Sequence, residues 1–168
     1  MSATALPTPR KAEWGALAWL LLATFLTAAL GAFASIDAKE FYASLNQPSW
    51  SPPPTVFGPV WSALYLMMCA AAWLVVRQLG PAAARPLMWL YGAQLLCNAL
   101  WTWLFFRWHW GAVASVEVLL LFVLVALTLR AFWRVRPLCG WLVLPYLVWV
   151  GFASALTLSM WRLNPAVL

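Results

Sequence analysis

The sequence predicts an all-α integral membrane protein, a single five-helix transmembrane bundle covering residues 1–168. Three observations lead there. Hydrophobic residues make up 65% of the chain and charged residues only 8%, whereas soluble domains carry roughly a quarter charged residues. So apolar a chain has too little polar surface to cover an exterior facing water. Five apolar stretches reach the length of about 20 residues that a bilayer crossing requires, and Pro, Gly and charged residues punctuate the boundaries between them.

A short N-terminal tail, residues 1–13, carries Arg10 and Lys11 ahead of the first predicted helix, residues 14–36. This helix admits two readings, because Ala32-Phe33-Ala34 resembles the small-residue cleavage site of a signal peptide. Its apolar run exceeds the usual signal core of about 7–15 residues, which favours a retained helix. Residues 37–54 follow as the longest connection, with Pro48 and then Pro52-Pro53-Pro54. Proline fixes φ and donates no backbone hydrogen bond, so the segment is expected to be extended or turned, a candidate lid or binding element. The second helix is predicted over 55–76, closed by Arg77-Gln78-Leu79-Gly80-Pro81, and the third over 86–106. The fourth, 110–129, follows Arg107, and the fifth, 138–161, follows Arg134-Val135-Arg136-Pro137. Short joins between helices imply antiparallel neighbours. With the N-terminus cytoplasmic, that side holds seven basic residues (Arg10, Lys11, Arg77, Arg85, Arg130, Arg134, Arg136), against three (Lys39, Arg107, Arg162) on the other. Positive residues concentrate inside, so the N-terminus is expected in the cytoplasm and the Pro-rich loop on the outer face.

The residue inventory narrows the chemistry. Ten Lys and Arg against four acids give a formal charge of +6. The basic residues sit at helix ends, where they anchor to lipid headgroups, and no basic cluster on a soluble module points to nucleic acid. Cys69, Cys97 and Cys139 are far apart in apolar stretches, and with the one histidine, His109, they form no metal-ligand spacing. No metal site is expected. No nucleophile–His–acid set, close carboxylate pair or phosphate-binding glycine loop is visible, so no catalytic residue is assigned.

Aromatic residues carry the remaining signal. Of fourteen tryptophans, Trp14, Trp108, Trp110, Trp133, Trp141 and Trp161 lie near predicted helix ends, as an interfacial belt would place them. Trp61, Trp73, Trp101 and Trp149 lie deeper. Phe57, Trp61 and Tyr65 share one face of the second helix; Gln94, Asn98, Trp101 and Phe105 share one on the third; Tyr146, Trp149, Ala153 and Leu156 share one on the fifth. Two readings of the amides stand: hydrogen bonding between helices, or orientation of a flat hydrophobic ligand in an aromatic cavity. Glu117, the one carboxylate within a predicted span, is likewise either a functional acid or a packing residue.

The run from Phe41 to Pro53 (FYASLNQPSWSPP), then Phe57-Gly58-Pro59-Val60-Trp61, resembles the TspO/MBR family. So do Gln94-Leu95-Leu96-Cys97-Asn98-Ala99-Leu100-Trp101 and, on the last helix, Pro145-Tyr146-Leu147-Val148-Trp149, Ala153 and Trp161-Arg162-Leu163-Asn164. The set covers about residues 25–164 in order. The resemblance implies a five-helix bundle that forms a homodimer in the lipid bilayer. It also implies a pocket, closed by the first loop, for porphyrins (tetrapyrroles, haem included) and other planar hydrophobic molecules, with no covalently bound cofactor. Mapped by motif, Trp50 would cover the pocket, Asn98 and Trp101 would line it from the third helix, Trp149, Ala153 and Leu156 from the fifth, and Phe57 from the second. Trp50 and Trp149 would flank the ring and Asn98 orient it. The implied role is a sensor regulating tetrapyrrole or stress responses. The alternatives are a light-dependent porphyrin-degrading enzyme using Trp50 and Trp149, or a transporter of porphyrins or sterols. A bacterial cell membrane is the expected location, an outer membrane the alternative. Two departures bear on ligands: Gln47 stands where many relatives carry Lys, removing a basic contact to a ligand carboxylate, and Leu158 stands where a cholesterol motif expects Tyr.

Overall fold

The structure is a computed structural model and describes residues 11–168. Residues 1–10 of the expected tail, with Arg10 of the charge count, lie outside the described residues. Five long helices and one short one follow in order: α1 (Lys11–Ala34), α2 (Ala38–Ser44), α3 (Phe57–Leu79), α4 (Pro81–Thr102), α5 (Gly111–Val135) and α6 (Pro137–Leu163). The chain is an all-α bundle and an integral membrane protein. Among the described residues four segments are long and apolar enough to cross a membrane: Glu13–Ala34, Pro54–Leu79, Gly111–Val135 and Pro137–Leu163. Arg85, Gln94 and Asn98 dilute the apolar character of α4, so the expected count of five rests, by length and composition, on four helices.

Local chemistry sets the boundaries. Gly80 takes a φ of 81°, a conformation that favours glycine, and its N–H closes on the Val76 carbonyl to end α3. Pro81 then opens α4 at a position where its missing N–H costs nothing. Arg136, extended between α5 and α6, is followed by Pro137 in the first turn of α6. Three expectations are corrected. Helix α1 starts at Lys11, so residues 11–13 of the expected tail are helical. The first connection contains α2. Its prolines begin only at Pro48, and Tyr42 and Leu45 are buried, so apolar docking folds the proline-free half. The third helix starts earlier than expected, at Pro81, and beyond Thr102 it loosens into a π-helical turn, Trp103–Arg107. There the N–H of Trp108 reaches back to the Trp103 carbonyl at 2.9 Å.

Helices α5 and α6 form the most extensively packed pair, while α1 buries the smallest share of its apolar stretch. Trp14, Trp19, Phe25 and Phe33 of α1 point outward, as lipid-facing side chains do. At the helix crossings Ala71, Ala72, Ala84 and Ala114 are fully buried. Small residues let backbones approach where lipid supplies no hydrophobic drive. Helix α1 is tied on through Thr24, whose hydroxyl lies 2.7 Å from that of Tyr91 on α4. At its start, Glu13 pairs with Arg77 of α3 at 3.4 Å, and Trp14 packs on Trp73 at 6.1 Å between ring centroids.

The α5–α6 turn is packed tightly enough to test. A Cβ at Gly140 would overlap the Trp133 ring. Gly140→Ala is therefore expected to lower stability by about 1–3 kcal/mol, measured by thermal unfolding in detergent. Adding Trp133→Ala should recover much of that loss; a double variant no more stable than Gly140→Ala would refute the steric account.

Candidate functional site

A cavity of about 620 Å³ lies among α1, α2, α3 and α4. Small residues of α1 (Ala28, Ala29, Gly31, Ala32) form one wall. Phe57, Trp61 and Tyr65 of α3, one face at helical spacing, form another, and Asn98, Trp101 and Thr102 of α4 a third. Tyr42 of α2, Phe106 of the π-helical turn and Phe25 of α1 complete the aromatic lining. The volume falls in the range of small-molecule sites, about 300–1,000 Å³, and the mainly apolar lining with a few polar groups is their usual chemistry. A much smaller space, about 20 Å³, lies behind it, walled by Ala153, Leu156, Thr157 and Met160 of α6. Tyr42, Phe57, Trp101 and Phe106 line both spaces and form the partition between them.

Asn98 is the polar centre of the site. Its Oδ1 accepts from the Tyr65 hydroxyl at 2.7 Å, and its Nδ2 donates to the Tyr146 hydroxyl at 3.1 Å. One buried amide thereby joins α3, α4 and α6, the reading of Asn98 as an interhelical group. Its side chain also lines the cavity, so the two readings meet in one residue. Gln94, a turn earlier, donates weakly to the Met68 sulfur at 3.8 Å, and its carbonyl oxygen has no partner among the described residues. The indole N–H groups of Trp101 and Trp149 are buried and likewise lack an acceptor there. Glu117 on α5 is buried outside the cavity, its carboxylate beside the Cys97 thiol but in no well-formed hydrogen bond.

The structure distributes the seven sequence-assigned residues in three groups. Phe57, Asn98 and Trp101 line the main cavity. Ala153 and Leu156 line the small space behind the partition. Trp149 packs edge-on against Phe57 at 5.9 Å and, tilted by 37°, against Phe152 at 5.3 Å, and Trp50 meets Phe152 at 5.7 Å. Phe152 thus occupies the place between Trp50 and Trp149 where a ring was expected, and Trp50 is half exposed. The α1 wall, Tyr42 and Tyr65 were not assigned from sequence. The Phe57–Trp61–Tyr65 face carried the signal for Tyr65; the run Ala28-Ala29-Leu30-Gly31-Ala32 carried it for α1.

The loop over the cavity is organised by its own bonds. Tyr42 donates its hydroxyl to the Pro52 carbonyl at 3.1 Å, and burial holds the phenol above its usual pKa, a shift only partly opposed by the Ser51 hydroxyl. Gln47 donates to the Tyr42 carbonyl, so the residue found in place of a lysine closes the loop internally. Asn46 and Asn164 exchange two hydrogen bonds: Asn46 N–H to Asn164 Oδ1 at 2.8 Å, and Asn164 Nδ2 to the Asn46 carbonyl at 3.0 Å. Asn164 also bonds Met160, pinning the loop to the end of α6. From the next connection His109, at a φ of 56°, stacks on Phe41 of α2 with ring centroids 4.0 Å apart. Among the described residues no three His, Cys, Asp or Glu side chains converge on a metal-sized site.

Residues 17–162 match the TspO/MBR family. The chain is 39% identical over 150 residues to a tryptophan-rich sensory protein of Cereibacter sphaeroides, covering 87% of this chain and 92% of that one. It is 40% identical over 129 residues to protein CrtK of Rhodobacter capsulatus, covering 74% and 79%. It is 37% identical over 130 residues to the human translocator protein, covering 76% and 77%.

The Asn98 bridge generates two expectations. Asn98→Leu leaves two buried hydroxyls without this partner and should cost about 1–2 kcal/mol of stability. In a cycle with Tyr65→Phe the losses should be smaller than additive; additive losses would show that the two side chains are not coupled. Asn164→Ala should increase proteolytic cleavage within residues 45–53 while leaving the thermal midpoint nearly unchanged, because it releases the loop and not the bundle. A cleavage rate equal to that of the parent would contradict the clasp.

Proposed function

This chain belongs to the TspO/MBR family, and from that premise we propose that it is a membrane-embedded binding protein, acting as a sensor, for porphyrins and similar flat hydrophobic molecules. The observation that carries the reading is the aromatic-lined cavity of about 620 Å³ between α1 and the α3–α4 pair. A planar ring gains dispersion and offset stacking against Phe57, Trp61 and Trp101. In this reading α4 is the fifth spanning helix. It has 22 residues, about 33 Å at 1.5 Å per residue, and only Gly80 separates it from α3, so it returns across the bilayer that α3 has crossed. The loop over residues 37–54 acts as the lid, on the outer face. Trp149, Ala153 and Leu156 support the partition from behind, and Trp50 shields it through Phe152.

The test is a titration of the purified protein with protoporphyrin, following tryptophan fluorescence in the dark. Saturable quenching is expected, with Trp101→Leu weakening affinity about tenfold, the scale of a buried aromatic anchor. Trp89→Leu should leave affinity unchanged, since Trp89 is 76% exposed on the outer face of α4. Equal effects of the two substitutions would refute the placement. A new porphyrin product spectrum under illumination, lost in Trp101→Leu, would instead favour the enzyme reading.

A further inference from the structure

The main cavity is open on one side, and the residues at that opening belong to membrane-spanning helices. On α1, Phe25 is 74% exposed and still lines the cavity, as do the exposed Ala29 and Ala32. Across from them, Gly58 and Ser62 of α3 are exposed and line it too. Both helices are apolar enough to cross a membrane, so a gap between them faces lipid. A molecule dissolved in the bilayer meets the cavity there edge-on.

One end of this slot is different. Lys39, in the first turn of α2, is the one charged side chain among the residues lining the cavity. It follows the end of α1 by five residues, which sets it at the boundary where a span stops and headgroups begin. A long ammonium side chain there keeps its charge in water while its methylene stem covers apolar surface. Asp37 and Glu40 flank it in sequence and are exposed, and among the described residues neither forms an ion pair with it. Trp101, 6% exposed, lines the same cavity beside Tyr42 and Phe57. The slot therefore offers an apolar body and a cation at the surface end, and none of its lining residues is a carboxylate.

We propose that Lys39 anchors the carboxylate of an amphipathic ligand that enters laterally from the bilayer between α1 and α3. The ligand class is thus narrowed from flat hydrophobic molecules to membrane-dissolved anions with a flat apolar body and the charged group at one edge. This rests on the binding reading above. It also supplies, from a different position, the basic contact that Gln47 lacks, since Gln47 is engaged with the Tyr42 carbonyl.

The experiment uses the full chain in nanodiscs of zwitterionic phosphatidylcholine, titrated with protoporphyrin, a dicarboxylate, and with its dimethyl ester, the same ring without charge. The parent protein should prefer the acid by about fivefold, the scale of one basic residue near a membrane surface. Lys39→Gln should abolish that preference and Lys39→Glu reverse it, with ester affinity unchanged throughout. Lys11→Gln, at the opposite end of α1, should keep it. Ala29→Trp, placed at the gap, should slow association of both ligands. Saturable binding of both rings with no preference for the acid, or a preference that survives Lys39→Glu, overturns the anchor while leaving the binding reading intact. An unchanged association rate in Ala29→Trp overturns lateral entry. Absence of saturable binding of either ring overturns the binding reading and this inference with it.

Discussion

Three helices meet at one amide, and the rest of the site is arranged around it. Inside a bilayer a side-chain amide cannot fall back on water, so its partners must come from neighbouring helices. Asn98 takes a donor from α3 and gives one to α6, which fixes the rotation of all three helices about their axes. Trp61 packs on both hydroxyl-bearing rings, 5.7 Å from Tyr65 and 6.1 Å from Tyr146, so the polar bridge is sheathed in aromatic surface. Because Tyr65 and Asn98 also line the cavity, the bridge is its floor. A group that orders the bundle therefore also sets the shape presented to a ligand.

The cavity exists because the opposite wall does not fill it. Where α3 and α4 present rings, α1 presents Ala28, Ala29, Gly31 and Ala32. A Cβ added at Gly31 would meet only the Thr102 hydroxyl, at an ordinary 3.7 Å, so close approach does not demand the glycine. The open volume follows from the small side chains of the run from Ala28 to Ala32 that line it, with Phe25 at its exposed edge. Helix α1 is also the least buried of the long apolar helices, held by the Thr24–Tyr91 bond, the Glu13–Arg77 pair and ring contacts at its ends. A wall this little buried is where side entry costs least, since local opening favours segments with little buried apolar surface.

Much of this was legible in the sequence, and the parts that were not have identifiable causes. Hydropathy locates the long helices because lipid demands an apolar exterior along their whole length. It is least informative for α4, whose polar residues Gln94 and Asn98 serve the interior. The prolines at 48 and 52–54 account for the non-helical half of the first connection. They conceal α2, whose formation depends on docking Phe41 on His109 and Tyr42 on Phe57, contacts spanning loops that periodicity cannot see. Among site residues, aromatic faces on single helices were readable, whereas Lys39 looked like a headgroup anchor. Only the fold brings the first turn of α2 to the mouth of the cavity. Asn164 stood in a recognisable motif, but its partner Asn46 is 118 positions away.

The same distinction explains why the motif residues and the open cavity coincide only in part. Phe57, Trp101, Tyr42 and Phe106 face both spaces; Phe57 additionally takes edge-on contacts from Tyr42 at 5.6 Å and Trp149 at 5.9 Å. Ala153 and Leu156 are small or aliphatic residues directly behind that partition, in a space of about 20 Å³, which has room for little more than a water molecule. The motif thus selects residues on both faces of one aromatic wall. Those on the α6 side cannot receive a large ligand in this arrangement of rings, but they determine where the wall stands and how much room lies in front of it. The indole N–H groups of Trp101 and Trp149 are both buried without acceptors among the described residues.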